Sequence, residues 1–130
     1  MKMRDEYWFL SNMYPCKITY NGHTYECIES AFHAQKDPSR ASEFEGLDGR
    51  AAKRLGRQVN LRSDWNTARL QIMEEILRIK FRNPYLAKKL KAVTEPIVEE
   101  NTWNDTFWGV CNGVGENHLG ILLEKIKNEL

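Results

Sequence analysis

The residues best equipped for chemistry lie in "CIESAFHAQK", Cys27 to Lys36, where a carboxylate, Glu29, precedes an amine, Lys36, by seven positions. Seven residues is close to two helical turns, with a drift of only ~20°, so on one helix both side chains point the same way. On a solvated rim the two are ordinary surface charges. On a buried face their pKa values shift, and they become an acid or base and a nucleophile aimed at one pocket.

A second cluster is "TWNDTFWGVCNGVGENHLG", which sets Trp103, Phe107 and Trp108 around Asp105 and follows them with Gly109, Gly113, Gly115 and Gly120. Two tryptophans and a carboxylate suit a slot that stacks a flat base or sugar ring. The plainer alternative is aromatic core, a turn and a helix cap. The loop runs into the last helix, whose first backbone N–H groups are expected to make an anion site. Its glycines fit neither the dinucleotide fingerprint nor the phosphate loop. "FLSNMYP" places Ser11 and Asn12 between Phe9 and Tyr14, polar groups in an aromatic turn. Arg50, Lys53, Arg54 and Arg57 recur at helical spacing, either as a solvated face or as a grip for phosphate. His23, His33 and His118 are scattered, so no metal site and no cofactor is expected, and no motif marks any histidine as catalytic.

These residues need elements to hold them. "CKITYNGHTYEC" alternates about Asn21-Gly22, the strongest local hairpin signal, which predicts strands near Lys17–Tyr20 and His23–Cys27. A helix over Glu29–Lys36 is stopped by Asp37-Pro38, and a short helix is expected over Arg40–Glu45. Asp48 caps "GRAAKRLG", with Gly56 as its stop. In "SDWNTARLQIMEEILRIKF", capped by Ser63 or Asp64, a stripe of Trp65, Ala68, Ile72, Met73, Ile76 and Ile79 is widened by Leu70, Leu77 and Phe81. That predicts a central helix packed on more than one side. "YLAKKLKAV" follows Asn83-Pro84 as a further helix. Residues 97–110 read as strand and loop, "CNGVG" as loop, and "ENHLGILLEKIKNEL" as a closing amphipathic helix.

The chain of 130 residues suits one α+β domain, mainly helical, with a single sizeable core. Its net charge of +1 leaves no global basic footprint for nucleic acid. Three cysteines without CxxC spacing argue against a disulfide framework and for a reducing compartment, and no apolar run approaches the ~20 residues of a membrane helix. A cytoplasmic protein is expected.

"FLSNMYP", "YNGHTYECIESAFHAQK", "AKRLGRQVNLRSDW", "MEEILRIKF" and "DTFWGVCNGVGENHLGILL", in that order, resemble the NADAR family of YbiA-like N-glycosidases, from about residue 8 to about residue 128. The resemblance implies a compact, mainly helical domain over residues 1–130. It also implies hydrolysis of a ribose C1–N bond. The substrate is a ribosylamino-pyrimidine phosphate of riboflavin biosynthesis or ADP-ribosylated guanine in nucleic acid. The competing reading is a non-catalytic module that binds ADP-ribose or NAD.

Residue by residue, the family's acid and lysine fall on Glu29 and Lys36, with Gln35 beside them, and its "DW" tryptophan on Trp65. Its late motifs fall on Asp105, Trp108, Gly109, Gly115, Asn117, Leu119 and Gly120. Its early motif falls on Phe9, Ser11, Asn12, Tyr14 and Pro15. The resemblance thus implies catalytic roles for Glu29, Lys36 and Asp105, and substrate contacts for Phe9, Ser11, Asn12, Tyr14, Gln35, Trp65, Trp103, Trp108, Gly109, Gly115 and Asn117. Met13, Phe32 and Cys111 depart from the family's usual aromatic, Tyr and Gly, and the last touches the loop assigned to phosphate or ribose. Two mechanisms fit: Glu29 or Asp105 positions water, or Lys36 attacks C1 and the sugar opens to an imine.

Overall fold

Asn21 and Gly22 both take positive φ, 50° and 83°, as a two-residue hairpin turn requires. The turn joins β1 (Ile18–Tyr20) to β2 (His23–Tyr25), antiparallel, with Ile18 opposite Tyr25. Sides alternate as a pleat demands. Ile18 and Tyr25 are fully buried, whereas Thr19 and Thr24 meet on the outer face, with their hydroxyl oxygens 2.9 Å apart. Lys17 and Glu26 extend that outer face as an ion pair at 2.7 Å.

A computed structural model describes residues 1–130. It is mainly helical α+β, with five α-helices, two 3-10 helices and two two-stranded sheets. Residues 12–80 form one compact unit, and residues 1–11 with 81–130 form another.

In the unit of residues 12–80, α1 spans Ile28–Ala34, shorter than the expected Glu29–Lys36. Pro38 disfavours helical geometry at Asp37, which lies at φ −144°. The chain tightens before that point. Gln35 N–H donates to the Phe32 carbonyl and Lys36 N–H to the His33 carbonyl, both at 3.1 Å. This i→i−3 pattern is the 3-10 turn common at helix ends, so Lys36 rides on a final tight turn. A 3-10 helix, Pro38–Phe44, replaces the predicted helix at 40–45.

The next helix, α2 (Gly49–Gly56), starts as predicted, with the Asp48 carboxylate accepting from Ala51 N–H at 2.8 Å. It ends at Gly56 as expected, but without a left-handed glycine cap. The residue after it, Arg57, keeps right-handed angles. α3 (Trp65–Lys80) buries Trp65, Ile72, Met73, Ile76 and Leu77 and packs on both α1 and β1. That bears out the broad apolar stripe, except that Leu70 faces solvent at 37% exposure. The Asp64 side chain pairs with Arg62 rather than capping α3, and its carbonyl takes the first N–H groups instead.

The last residue of α3 is unexpected. Lys80 is 2% exposed, with Nζ 5.4 Å from the centre of the Tyr14 ring. Burial lowers its pKa to about 8, while the nearby Cys16 and Cys27 pull the other way. The ordinary value is 10.5, so between these limits the unfolded chain binds the extra proton. Stability therefore rises with pH across that window and is lowest below it. Lys80→Met is expected to stabilise the protein at pH 7 and to flatten that rise. Urea midpoints measured at pH 7 and pH 10 check it; a destabilised variant at pH 7 would contradict the account.

The unit of residues 1–11 and 81–130 opens on a 3-10 helix, Asp5–Leu10, which burial of Phe9 and Leu10 anchors. α4 (Pro84–Lys91) starts at Asn83, whose side-chain oxygen accepts from Tyr85 and Leu86 N–H at 2.9 and 3.2 Å. α4 packs on α5 (His118–Asn128). β3 (Glu100–Asn101) and β4 (Val110–Cys111) pair in parallel. "CNGV", expected as loop, is a second Asn-Gly turn. Asn112 and Gly113 have φ 52° and 79°, and Cys111 and Val114 exchange both backbone hydrogen bonds at 2.9 and 3.1 Å.

Candidate active site

The start of α1 is fixed by the turn before the hairpin. Glu29 N–H donates to the Asn12 carbonyl at 2.9 Å, so Asn12 satisfies a helix donor that has no intrahelical partner. The Glu29 side chain then meets His33 one turn on, with Oε1 and Nε2 2.8 Å apart. Both are largely withdrawn from water, at 15% and 10% side-chain exposure. His33 Nδ1 is buried with no hydrogen-bond partner, so the proton that bridges the pair sits between Nε2 and the carboxylate.

Lys36 completes the group. Burial lowers its pKa from the usual lysine value, the Glu29 charge raises it, and Arg57 and Lys53 lower it. Its ammonium lies 5.9 Å from the centre of the Trp65 ring, which packs on Phe32 at 4.9 Å. Glu29 and Lys36 therefore do share a half-buried face. Of the basic set on α2, Lys53 and Arg57 act on Lys36; Arg50 and Arg54 point to solvent.

Close approach of α2 to α1 makes this possible. A Cβ on Gly49 would overlap the Met13 sulfur and sit 3.3 Å from Glu29 Cβ; one on Gly56 would sit 2.6 Å from His33 Nδ1. The two glycines thus lie on the face of α2 that rests against the acid and its histidine. In an exposed helix Gly→Ala gains roughly 1 kcal/mol. At Gly56 the sign reverses, because His33 is ringed by packed groups. Gly56→Ala is expected to cost about 1–3 kcal/mol, the usual range for overpacking. Gly49→Ala is expected to cost less, since the flexible Met13 can swing aside. Chemical denaturation of both variants tests the order.

The other residues marked by the sequence are placed as follows. Gln35 is buried and bonded within the protein: its amide donates to the Ala31 carbonyl at 3.0 Å and its oxygen accepts from Asn21 at 3.4 Å. The Asn12 amide lies 3.9 Å from the Met73 sulfur, and its oxygen is buried with no partner. Tyr14 lies under Lys80. In the unit of residues 1–11 and 81–130, Phe9 is core, with the Lys89 ammonium 4.6 Å from its ring centre. Ser11 N–H ends the 3-10 helix on the Trp8 carbonyl.

Asp105 organises its own loop: Oδ1 accepts from Phe107 and Trp108 N–H at 3.1 and 2.9 Å, and Asn101 clasps its backbone on both sides. Trp108 stands edge-on to Phe107, and Trp103 is 59% exposed. The anion site expected at the start of α5 does not exist. The N–H groups of Asn117, His118 and Leu119 donate to the carbonyls of Gly109, Phe107 and Trp108 at 3.3, 3.1 and 2.9 Å. The Asn117 side chain ties the loop to Glu99 N–H and the Ile97 carbonyl. Gly109 and Gly115 are packing positions too, since a Cβ on either would overlap Glu99 or the Gly109 carbonyl.

His33 is the residue that the sequence concealed. Its only signal is the four-residue spacing from Glu29, which places both on one helix face.

A braced carboxylate and an amine partly withdrawn from water, with two cations beside it, on a mainly helical α+β scaffold, are groups of the kind that acid–base or nucleophilic chemistry uses. The chain belongs to the NADAR domain family, whose profile matches residues 1–130. It is 36% identical to a riboflavin biosynthesis protein of Vibrio vulnificus across 97% of this chain, although it spans only 36% of that longer protein. It is 33% identical to the N-glycosidase YbiA of Escherichia coli, over 97% of this chain and 83% of that one. The NMR structure of the E. coli protein YbiA superposes with a TM-score of 0.85 at 30% identity, covering 99% of this chain and 83% of that chain. No helix is long and apolar enough to cross a membrane.

Proposed function

We propose that the protein is an N-glycosidase that hydrolyses the ribose C1–N bond of a ribosylamino-pyrimidine phosphate. The observation that carries this is the half-buried face on which Glu29, held by His33, sits within electrostatic reach of Lys36. Names of relatives that include N-glycosidase and riboflavin biosynthesis support the reaction and the substrate class. A net charge of +1 favours a small phosphate ester over a nucleic-acid strand. Lys53 and Arg57 are the proposed phosphate grip.

In the proposed mechanism Lys36 Nζ, in its neutral form, attacks C1. The C1–N bond to the base breaks, and the base leaves with one of the two amine protons. The second proton goes to the ring oxygen as the C1–O bond opens, leaving an imine between Lys36 and C1. Water then adds, releases the sugar and restores the amine. Glu29 carries the protons, and His33 keeps it aimed. The stability of the positive charge at C1 is the carboxylate's other task, as in glycosidases generally. Burial of Lys36 supports the amine route over direct water attack, because it favours the neutral nucleophile. Asp105, Trp103 and Trp108 remain proposed substrate residues on the family likeness alone, with Asp105 the alternative carboxylate.

The test is release of free base, measured side by side on a ribosylamino-pyrimidine phosphate and on ADP-ribosylated guanine. Faster turnover of the second would overturn the substrate assignment. Tight binding of ADP-ribose with no base released from either would replace the enzyme by a binding module.

A further inference from the structure

Away from Glu29 and Lys36, a second cluster of reactive groups lies under the hairpin. The inner face of the β1–β2 pair carries Ile18 opposite Tyr25. The next pair, Lys17 and Glu26, is on the outer face, as their ion pair shows. One further residue along each chain, Cys16 on one side and Cys27 on the other, returns to the inner face. The two chains are still together there, although the register slips by one: Cys16 N–H donates to the Glu26 carbonyl at 2.9 Å, while the Cys27 carbonyl accepts from Ala31 N–H at 3.2 Å. The two thiols lie within electrostatic reach of each other, the neighbourhood from which a disulfide can close. Both thiols are free, Cys16 half-buried and Cys27 buried. The Lys80 amine is buried beside both, under the Tyr14 ring. Cys111 belongs to the other unit.

We propose that Cys16 and Cys27 form a reversible disulfide under peroxide, with Lys80 as the base that assists its closure. Peroxide reaches the half-exposed Cys16 first. Its sulfur displaces hydroxide from H2O2, giving a sulfenic acid and one water. The Cys27 sulfur then attacks the Cys16 sulfur, and its proton passes to the Lys80 amine. The S–O bond breaks, and the departing hydroxide recovers that proton as a second water. Two thiols are oxidised by two electrons, and one peroxide is reduced. Burial raises both thiols, Cys27 to about 11, which disfavours their thiolates, so a base must take the proton; the same burial lowers Lys80 to about 8 and leaves a fraction of its amine neutral for that task. Cys27 immediately precedes α1, so the bridge would tie the hairpin to the start of that helix. The proposal stands apart from the glycosidase reading, because nothing in it requires Glu29 or Lys36 to be catalytic.

The experiment uses the whole reduced protein. It is treated with hydrogen peroxide, quenched with catalase, alkylated, and digested without reductant for mass spectrometry. The expected product joins the Cys16 and Cys27 peptides with loss of two hydrogens, leaves Cys111 alkylated, and reverts with dithiothreitol. Cys27→Ser is expected to accumulate the Cys16 sulfenic acid, trapped by a cyclic diketone. Lys80→Met is expected to slow joining by about 10²-fold, the low end for loss of a general base; an unchanged rate would remove Lys80 from the scheme. A bridge through Cys111, a Lys80–cysteine adduct that keeps an oxygen atom, Cys16 passing to sulfinic acid without bridging, or thiols that resist peroxide until the protein is unfolded would each overturn the pairing.

Discussion

Lys36→Ala is expected to lower turnover by about 10³-fold or more while the far-UV circular dichroism and melting temperature stay close to those of the wild type. The side chain is half-buried at the end of α1 over the Trp65 ring, and the backbone bonds of Lys36, to the His33 carbonyl at 3.1 Å and from Arg62 N–H at 2.9 Å, survive its loss. Loss of the amine therefore removes chemistry more than packing. With the wild type, borohydride added during turnover is expected to leave a sugar fixed to Lys36, found by peptide mass. A variant without Lys36 that turns over normally, or a wild type that never traps, would leave direct attack by water as the mechanism. The pH profile adds a second test. A step that needs the neutral amine speeds up as pH rises through its pKa, and burial lowers that pKa from 10.5. The rate should thus rise and level off below the pH expected of a solvated lysine.

Glu29→Gln is the second large effect, with a loss of about 10²–10⁴-fold if it handles protons for the departing base. Glutamine keeps the shape and can still meet His33, so the fold should survive. The residual activity carries more information than the loss. The Glu29 charge raises the Lys36 pKa, while Arg57 lowers it. Removal of the carboxylate should move the alkaline limb of the profile to lower pH. Arg57→Met should move it to higher pH and also raise KM for a phosphate-bearing substrate. Opposite displacements in the two variants identify Lys36 as the titrating group. Displacements in one direction would mean that a different group governs the limb.

Much of the scaffold was legible in the sequence where one local signal decided the outcome. Asn21-Gly22 gave the hairpin, Asp48 and Asn83 gave helix starts, and the stripe from Trp65 to Leu77 gave α3. Asn112-Gly113 carries the same hairpin signal, but its strands are two residues each, too short to show alternation. The 3-10 helix at Asp5–Leu10 has no period of its own and is held by burial of Phe9 and Leu10. For the site, spacing could bring Glu29 and Lys36 to one face but could not show burial, which depends on α2 and α3. Gly56 read as a helix stop because a glycine near a helix end usually is one; that it faces His33 is a tertiary fact. Asp105 and Asn117 read as functional groups in a glycine-bearing loop. Their side chains also hold backbone N–H and carbonyl groups, a demand that only the folded loop reveals.

The bare ridge of α2 divides the helix by tolerance to change. Its inner side, Gly49, Ala52 and Gly56, is buried and leaves no room for larger residues beside the acid. Its outer side, Arg50 and Arg54, is open to solvent and touches no part of that contact. Substitutions on the outer side change surface charge without disturbing the distance between α1 and α2. Arg50 and Arg54 can therefore vary freely, whereas Gly49 and Gly56 fix how near α2 comes to Glu29 and His33.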